Sequence, residues 1–109
     1  MIRVMATDVV NAYKATGLIP VRCVWHSQNP RGGCAIDTLA QALGEGEGEE
    51  WAKRLDDRYL QGFLDAWDAD EPDLEEDTER NYSMGFWDAV ACRRAVTEEF
   101  SSITMIETE

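Results

Sequence analysis

The sequence predicts a mainly α domain of about four helices, two of them forming a long antiparallel helical hairpin, with a small β-ribbon beside them. Three observations carry this. Apolar residues recur every three or four positions through most of the chain. Residues 59–66 read YLQGFLDA and residues 82–89 read YSMGFWDA, so Tyr, Gly, Phe, Asp and Ala return in the same order and spacing. Only one short stretch, residues 21–25, alternates in the manner of a strand.

The first helix is read over residues 7–16, TDVVNAYKAT. Thr7 or Asp8 can cap it, Val9, Val10 and Tyr13 share a face, and Gly17 suits a left-handed C-cap. Leu18-Ile19-Pro20 breaks it. Val21, Cys23 and Trp25 then alternate with Arg22 and Val24, and such a strand needs a partner, either residues 101–106 or a strand of a second chain. Residues 27–33, SQNPRGG, carry turn chemistry throughout.

Residues 34–43, CAIDTLAQAL, predict a second helix with Ile36, Leu39, Ala40 and Leu43 in one stripe. The EGEGEE run that follows Gly44 is an acidic connector. The third helix is expected over 49–68, with Trp51, Leu55, Tyr59, Phe63, Ala66 and Trp67 on its buried face. Glu50 with Arg54, and Lys53 with Asp57, stand at the spacing of ion pairs on its wet side. Pro72 ends this region. Thr78 caps a fourth helix to about Phe100, with Tyr82, Phe86, Ala89, Val90, Arg93 and Val96 on one face. The short connection between the last two helices favours an antiparallel pair. Gly62, Phe63, Gly85 and Phe86 are the expected helix-packing residues. A glycine inside a helix costs about 1 kcal/mol relative to alanine, so two of them point to close backbone approach.

A chain of 109 residues suits one domain over residues 1–109, with one modest core. Ten Lys and Arg face twenty-two Asp and Glu, a formal net charge of −12. That balance argues against direct contact with nucleic acid, which needs clustered cations, and against anionic membrane surfaces. No stretch approaches the run of about 18 apolar residues that spans a bilayer. The N-terminus, MIRVMATDVV, is too soon charged for a secretory signal. Three cysteines are too few for a disulfide framework, so free thiols in a reducing cytoplasm are expected.

Three constellations could carry chemistry. Cys34 follows a Gly-Gly turn and opens a helix, where the dipole favours a thiolate. With His26 upstream and Asp37 one turn on, it completes the minimal set for nucleophilic catalysis. Against this, cysteine at a helix start is also a common small core residue. Cys23-x-x-His26 with Cys34 and Cys92 offers four soft ligands, but paired zinc knuckles are missing, so no metal is expected and no cofactor signature is present. The third is the acidic stretch Asp70, Glu71, Asp73, Glu75, Glu76 and Asp77. A calcium loop beginning at Asp68 would want Gly where Asp73 stands and an apolar residue where Glu75 stands, so that reading fails. These acids are expected to be solvated and to form the docking surface for a basic protein.

The function expected from the sequence is therefore a non-enzymatic protein–protein interaction module that self-associates through an apolar face containing some of the tryptophans. A cysteine-dependent enzyme or redox switch at Cys34 is the alternative, and an acidic nucleic-acid mimic is the second alternative.

Overall fold

The computed structural model describes residues 1–75 and 78–106. Five helices and four short strands lie among them: α1 Ala6–Thr16, β1 Ile19–Arg22, β2 His26–Gln28, β3 Arg31–Gly33, α2 Ala35–Ala42, α3 Gly48–Ala52, α4 Asp57–Asp68, α5 Arg80–Phe100 and β4 Thr104–Met105. The fold is mainly α with a small mixed sheet in the order β2-β3-β1-β4. Glu76 and Asp77, expected in the acidic docking surface, lie outside the described residues.

The ends of the elements follow side-chain chemistry. α1 begins one residue before the expected caps, with Met5 extended at its N-cap, and ends at Gly17 in the left-handed conformation (φ 71°). α2 starts after Cys34, whose sulfur accepts from the Asp37 N–H. Glu79, rather than Thr78, caps α5 by accepting from the Tyr82 N–H at 2.9 Å. The helix expected over 49–68 is two helices, which raises the count from four to five. Asp56 causes the break, since its carboxylate accepts from the N–H groups of Arg58 and Tyr59 and starts a new helix there. The expected pairs Glu50–Arg54 and Lys53–Asp57 give way to Lys53–Glu50 and Arg54–Glu45.

The sheet holds more of the chain than its sequence suggests. β1 begins at Ile19, includes Pro20, and ends where Cys23 turns the chain with a φ of 75°. Its partners are parallel: β3 through Ile19 with Gly32, and β4 through Val21 with Thr104 and Arg22 with Met105. Residues 27–33 are not turn throughout. β2 and β3 form an antiparallel hairpin that turns at the cis Asn29–Pro30 bond. Gly32, which reads as a turn residue, is needed instead because a Cβ there would lie 2.7 Å from both the Ile19 carbonyl oxygen and a Val21 methyl.

The long pair α4 and α5 makes the main helical contact, and its geometry is not an antiparallel hairpin. A Cβ on Gly62 would run into the Tyr82 carbonyl and lie 3.1 Å from the Phe86 nitrogen. A Cβ on Gly85 would run into the Tyr59 carbonyl and lie 3.0 Å from the Phe63 nitrogen. The helices thus cross at these two glycines. Beyond the crossing, Arg93 donates to the carbonyls of Ala66, Trp67 and Ala69. Arg93 is about 12 Å past Gly85 along α5, and Ala66 about 6 Å past Gly62 along α4. In an antiparallel pair those advances would point apart and leave some 18 Å for one arginine to cover. The two helices therefore leave their crossing in the same sense. Residues 69–75 leave the end of α4 as a strap, and α5 starts at Arg80 on the other side of the crossing.

The core lies between this crossed pair and α1, α2 and α3. Phe63, Phe86, Trp67, Tyr59, Tyr13, Ile36 and Val96 are all buried in it. The N-terminal residues cross over the pair and bury Val4 against it.

Candidate functional site

The echoed motif lies at the crossing of α4 and α5. Tyr59 Oη donates to Asp88 Oδ2 at 2.6 Å, and Tyr82 Oη donates to Asp65 Oδ2 at 2.6 Å. Each tyrosine of one copy bonds the aspartate of the other, and each glycine receives the tyrosine carbonyl of the other. Phe63 and Phe86 fill the flanks of the crossing, and Ala66 and Ala89 are buried beside them. The five repeated residue types thus form a pseudo-two-fold clasp. Its two ends differ. At one, Arg3 donates twice to Asp88, the Val4 N–H donates to Tyr59 Oη at 2.8 Å, and all but Arg3 are buried. At the other, Asp65 is exposed. Burial and the Asp88 bond raise the Tyr59 hydroxyl well above the ordinary tyrosine range. Its bond to Asp65, with some burial, pushes Tyr82 up to about 12.

The set Cys34, His26 and Asp37 is not assembled. Cys34 is 2% exposed and lines a cleft of about 150 Å³ with Cys23, Val24, Trp25, Leu64 and Asp68. His26 opens into a different, polar cleft of about 360 Å³ with Gln28, Arg31 and Gln41. Burial pushes the Cys34 thiol up to about 12, against the lowering from the N–H groups of Asp37 and Ile36. Asp37 is buried for structural use. Its Oδ1 accepts from the Gly48 N–H at 2.8 Å and its Oδ2 from the Gln41 amide at 2.6 Å. It ties the start of α3 to α2, and Gly48 is glycine because a Cβ there would strike Asp37.

The acidic stretch begins at an arginine clamp that the sequence reading missed. α4 has no basic residue in its last turn. Arg93 supplies its final carbonyls with donors, and Arg22 donates to the Asp68 carbonyl at 3.0 Å and to Asp70 at 2.6 Å. Burial, with Arg22 nearby, lowers the Arg93 guanidinium. Desolvation raises the Asp68 carboxyl despite the Cys23 N–H it accepts at 2.8 Å. Arg93 could have been noticed as a cation on the predicted apolar face of its helix. Arg22 carried no such signal.

Past the clamp, exposure alternates. Glu71, Asp73 and Glu75 are exposed, while Pro72 and Leu74 are partly covered, Leu74 against the core. Asp70 is already paired with Arg22. Glu71, Asp73 and Glu75 make no ion pair among the described residues. Nor do three or more His, Cys, Asp or Glu converge as metal ligands anywhere among those residues. No described helix is long and apolar enough to cross a membrane. Of the tryptophans, Trp51 and Trp67 are buried, Trp25 is half-buried, and Trp87 is 55% exposed.

Comparisons with protein-family models, with curated proteins and with solved structures gave no match to this chain.

Proposed function

We propose that the chain is a non-enzymatic protein-interaction module that docks a basic partner on the strap between α4 and α5. The observation that carries this reading is the alternation along 71–75. Anchored by Leu74 and by the arginine clamp behind it, the strap turns Glu71, Asp73 and Glu75 outward at spacings of about 7 Å. Three carboxylates in one row, without cationic partners among the described residues, attract a basic segment at little ordering cost, because the strap is already held. The three free cysteines suit a reducing cytoplasm.

The cysteine-enzyme alternative finds no support in this geometry, since Cys34 and His26 face different clefts. The nucleic-acid mimic is a special case of the proposed reading. Carboxylates evenly spaced along an extended strap favour it over a random acidic surface.

The test is a titration of the full chain with a fluorescent arginine-rich peptide. Binding should weaken with added salt, and the triple variant E71Q/D73N/E75Q should lose most of it. Binding that ignores both the salt and the triple variant sinks the strap as the docking surface. Displacement of DNA from a DNA-binding domain by the chain, with the chain bound in its place, would select the mimic form.

A further inference from the structure

α5 carries a second surface on the side away from its partner helix. Gly85, Ala89, Cys92 and Val96 face the core. On the opposite side, Arg80, Trp87, Ala91, Arg94 and Glu98 stand at helical spacing and are all exposed, with Met84 and Val90 half-buried between them. Trp87 rests edge-on against Phe86, with ring centroids 5.4 Å apart, so its ring is held outward. Neither arginine on this face, nor Glu98, makes an ion pair among the described residues.

The order of residues on this face is self-complementary about Ala89. Arg80 lies nine positions before it and Glu98 nine after; Trp87 lies two before and Ala91 two after. We propose that two copies of this chain pair through this face, α5 against α5 in antiparallel, about a two-fold axis that crosses the exposed face between Trp87 and Ala91, level with Ala89 on the far side of the helix. Arg80 then meets Glu98 of the second copy, twice over. The Trp87 ring covers Ala91 of the second copy, a large side chain over a small one. Arg94 lays its aliphatic stem along Met84. A contact centred on Trp87 would set Arg80 against Arg94, and a parallel contact would set each arginine against itself. Charge and size thus select one register and a closed, isologous dimer. This inference rests on the interaction-module reading and names a partner for it, on a face separate from the strap.

Two chains of charge −12 repel at long range, so the salt dependence of the dimer mixes opposing terms. The experiment therefore swaps charges. Sedimentation velocity of the full chain across micromolar concentrations should show a monomer–dimer equilibrium. W87A should raise its dissociation constant about thirtyfold or more, since the exposed aromatic anchor is removed. R80E and E98R should each be monomeric at concentrations where the wild type is dimeric, and an equal mixture of the two should dimerise again. Both changes also suit the helix dipole, acid at the start and base near the end, so both variants should fold. The triple strap variant should dimerise like the wild type, which separates this inference from the docking of a basic partner. A wild type that stays monomeric at high micromolar concentration overturns the proposal, as does a mixture of R80E and E98R that stays monomeric.

Discussion

Tyr59 donates to Asp88 across a sequence separation of 29 residues, and the same bond recurs in reverse as Tyr82 to Asp65. One chemical link is used at both ends of a helix crossing, but only the Tyr59 end is sealed by the N-terminal segment. The two bonds should therefore differ in worth. Tyr59→Phe removes the acceptor of the buried Val4 N–H as well as the donor to Asp88, and should cost about 1–3 kcal/mol. Tyr82→Phe frees an exposed carboxylate that water can serve, and should cost well under half as much. Urea denaturation of both variants measures the difference; equal losses would refute the asymmetry.

The crossing glycines give the sharpest steric prediction. Gly62→Ala and Gly85→Ala each drive a methyl into the backbone of the facing helix, where no side chain can swing aside. Each should destabilise by about 1–3 kcal/mol or more, although alanine is the better helix former. Once either methyl has pushed the helices apart, the second costs less, so the double variant should lose less than the two singles together. A stabilising Gly→Ala change at either site would contradict the crossing.

Phe63 and Phe86 flank the same crossing, and both are buried. Truncation of either to Ala should cost about 3–5 kcal/mol. Thermal or denaturant unfolding of the two variants checks this, and losses under about 1 kcal/mol at both positions would show that the crossing is not a packed core.

The cysteines should titrate unequally. Cys23 is exposed, whereas Cys34 and Cys92 are buried with thiols pushed up to about 12 by desolvation. In the folded protein one thiol should react with a disulfide reagent at pH 7, and the other two only on unfolding. Cys23 should itself react more slowly than a free thiol, because partial burial and the nearby Asp68 raise it. Rapid modification of Cys34 in the native state would reopen the nucleophile reading.

Asp68 reverses the usual acid dependence of a carboxylate. Its folded-state pKa is raised above 3.8, mainly by burial. The native state then holds that proton more tightly than the unfolded state. The resulting stabilisation is complete below pH 3.8 and disappears as pH rises through the higher folded value. At neutral pH the buried charge is a burden. Asp68→Asn keeps an oxygen for the Cys23 N–H and should match or exceed the wild type in stability at pH 7. That advantage should fade as pH falls through the raised folded value towards 3.8. A variant less stable at pH 7 than at pH 4, relative to wild type, would contradict this sign.

Much of the helical architecture was legible, for one reason. Helices α1, α2 and α5 are set by local periodicity and by caps within a few residues, and both signals stand in the sequence. Asp56 was also local, but the unbroken apolar stripe through Trp51, Leu55 and Tyr59 concealed the break it makes. The sheet was poorly legible because its strands are two to four residues long and its glycines and proline look like turn residues. Gly32 is there for the backbone of β1, a neighbour that no local window contains. The direction of the α4–α5 crossing was likewise hidden, since the short connection suggested a hairpin and the contact that excludes one is tertiary, from Arg93 to the end of α4. At the candidate site, the echoed residues could be picked out as packing positions. Their exchange of tyrosine and aspartate between helices could not, because identical motifs do not say whether they face each other.

The return strap also fixes the order in which the molecule can be built. Helices that leave their crossing in the same sense cannot zip together from a shared turn, so α5 must be carried back past the length of α4 before the clasp closes. The first residues wait as well, for Arg3 meets Asp88 across 85 positions and β4 closes on β1 only at Thr104 and Met105. For a helical protein this topology is rich in distant contacts, and such contacts slow folding. On a ribosome, chains arrested before α5 has emerged should remain open to protease, and protection should arrive in one step once α5 and β4 have emerged.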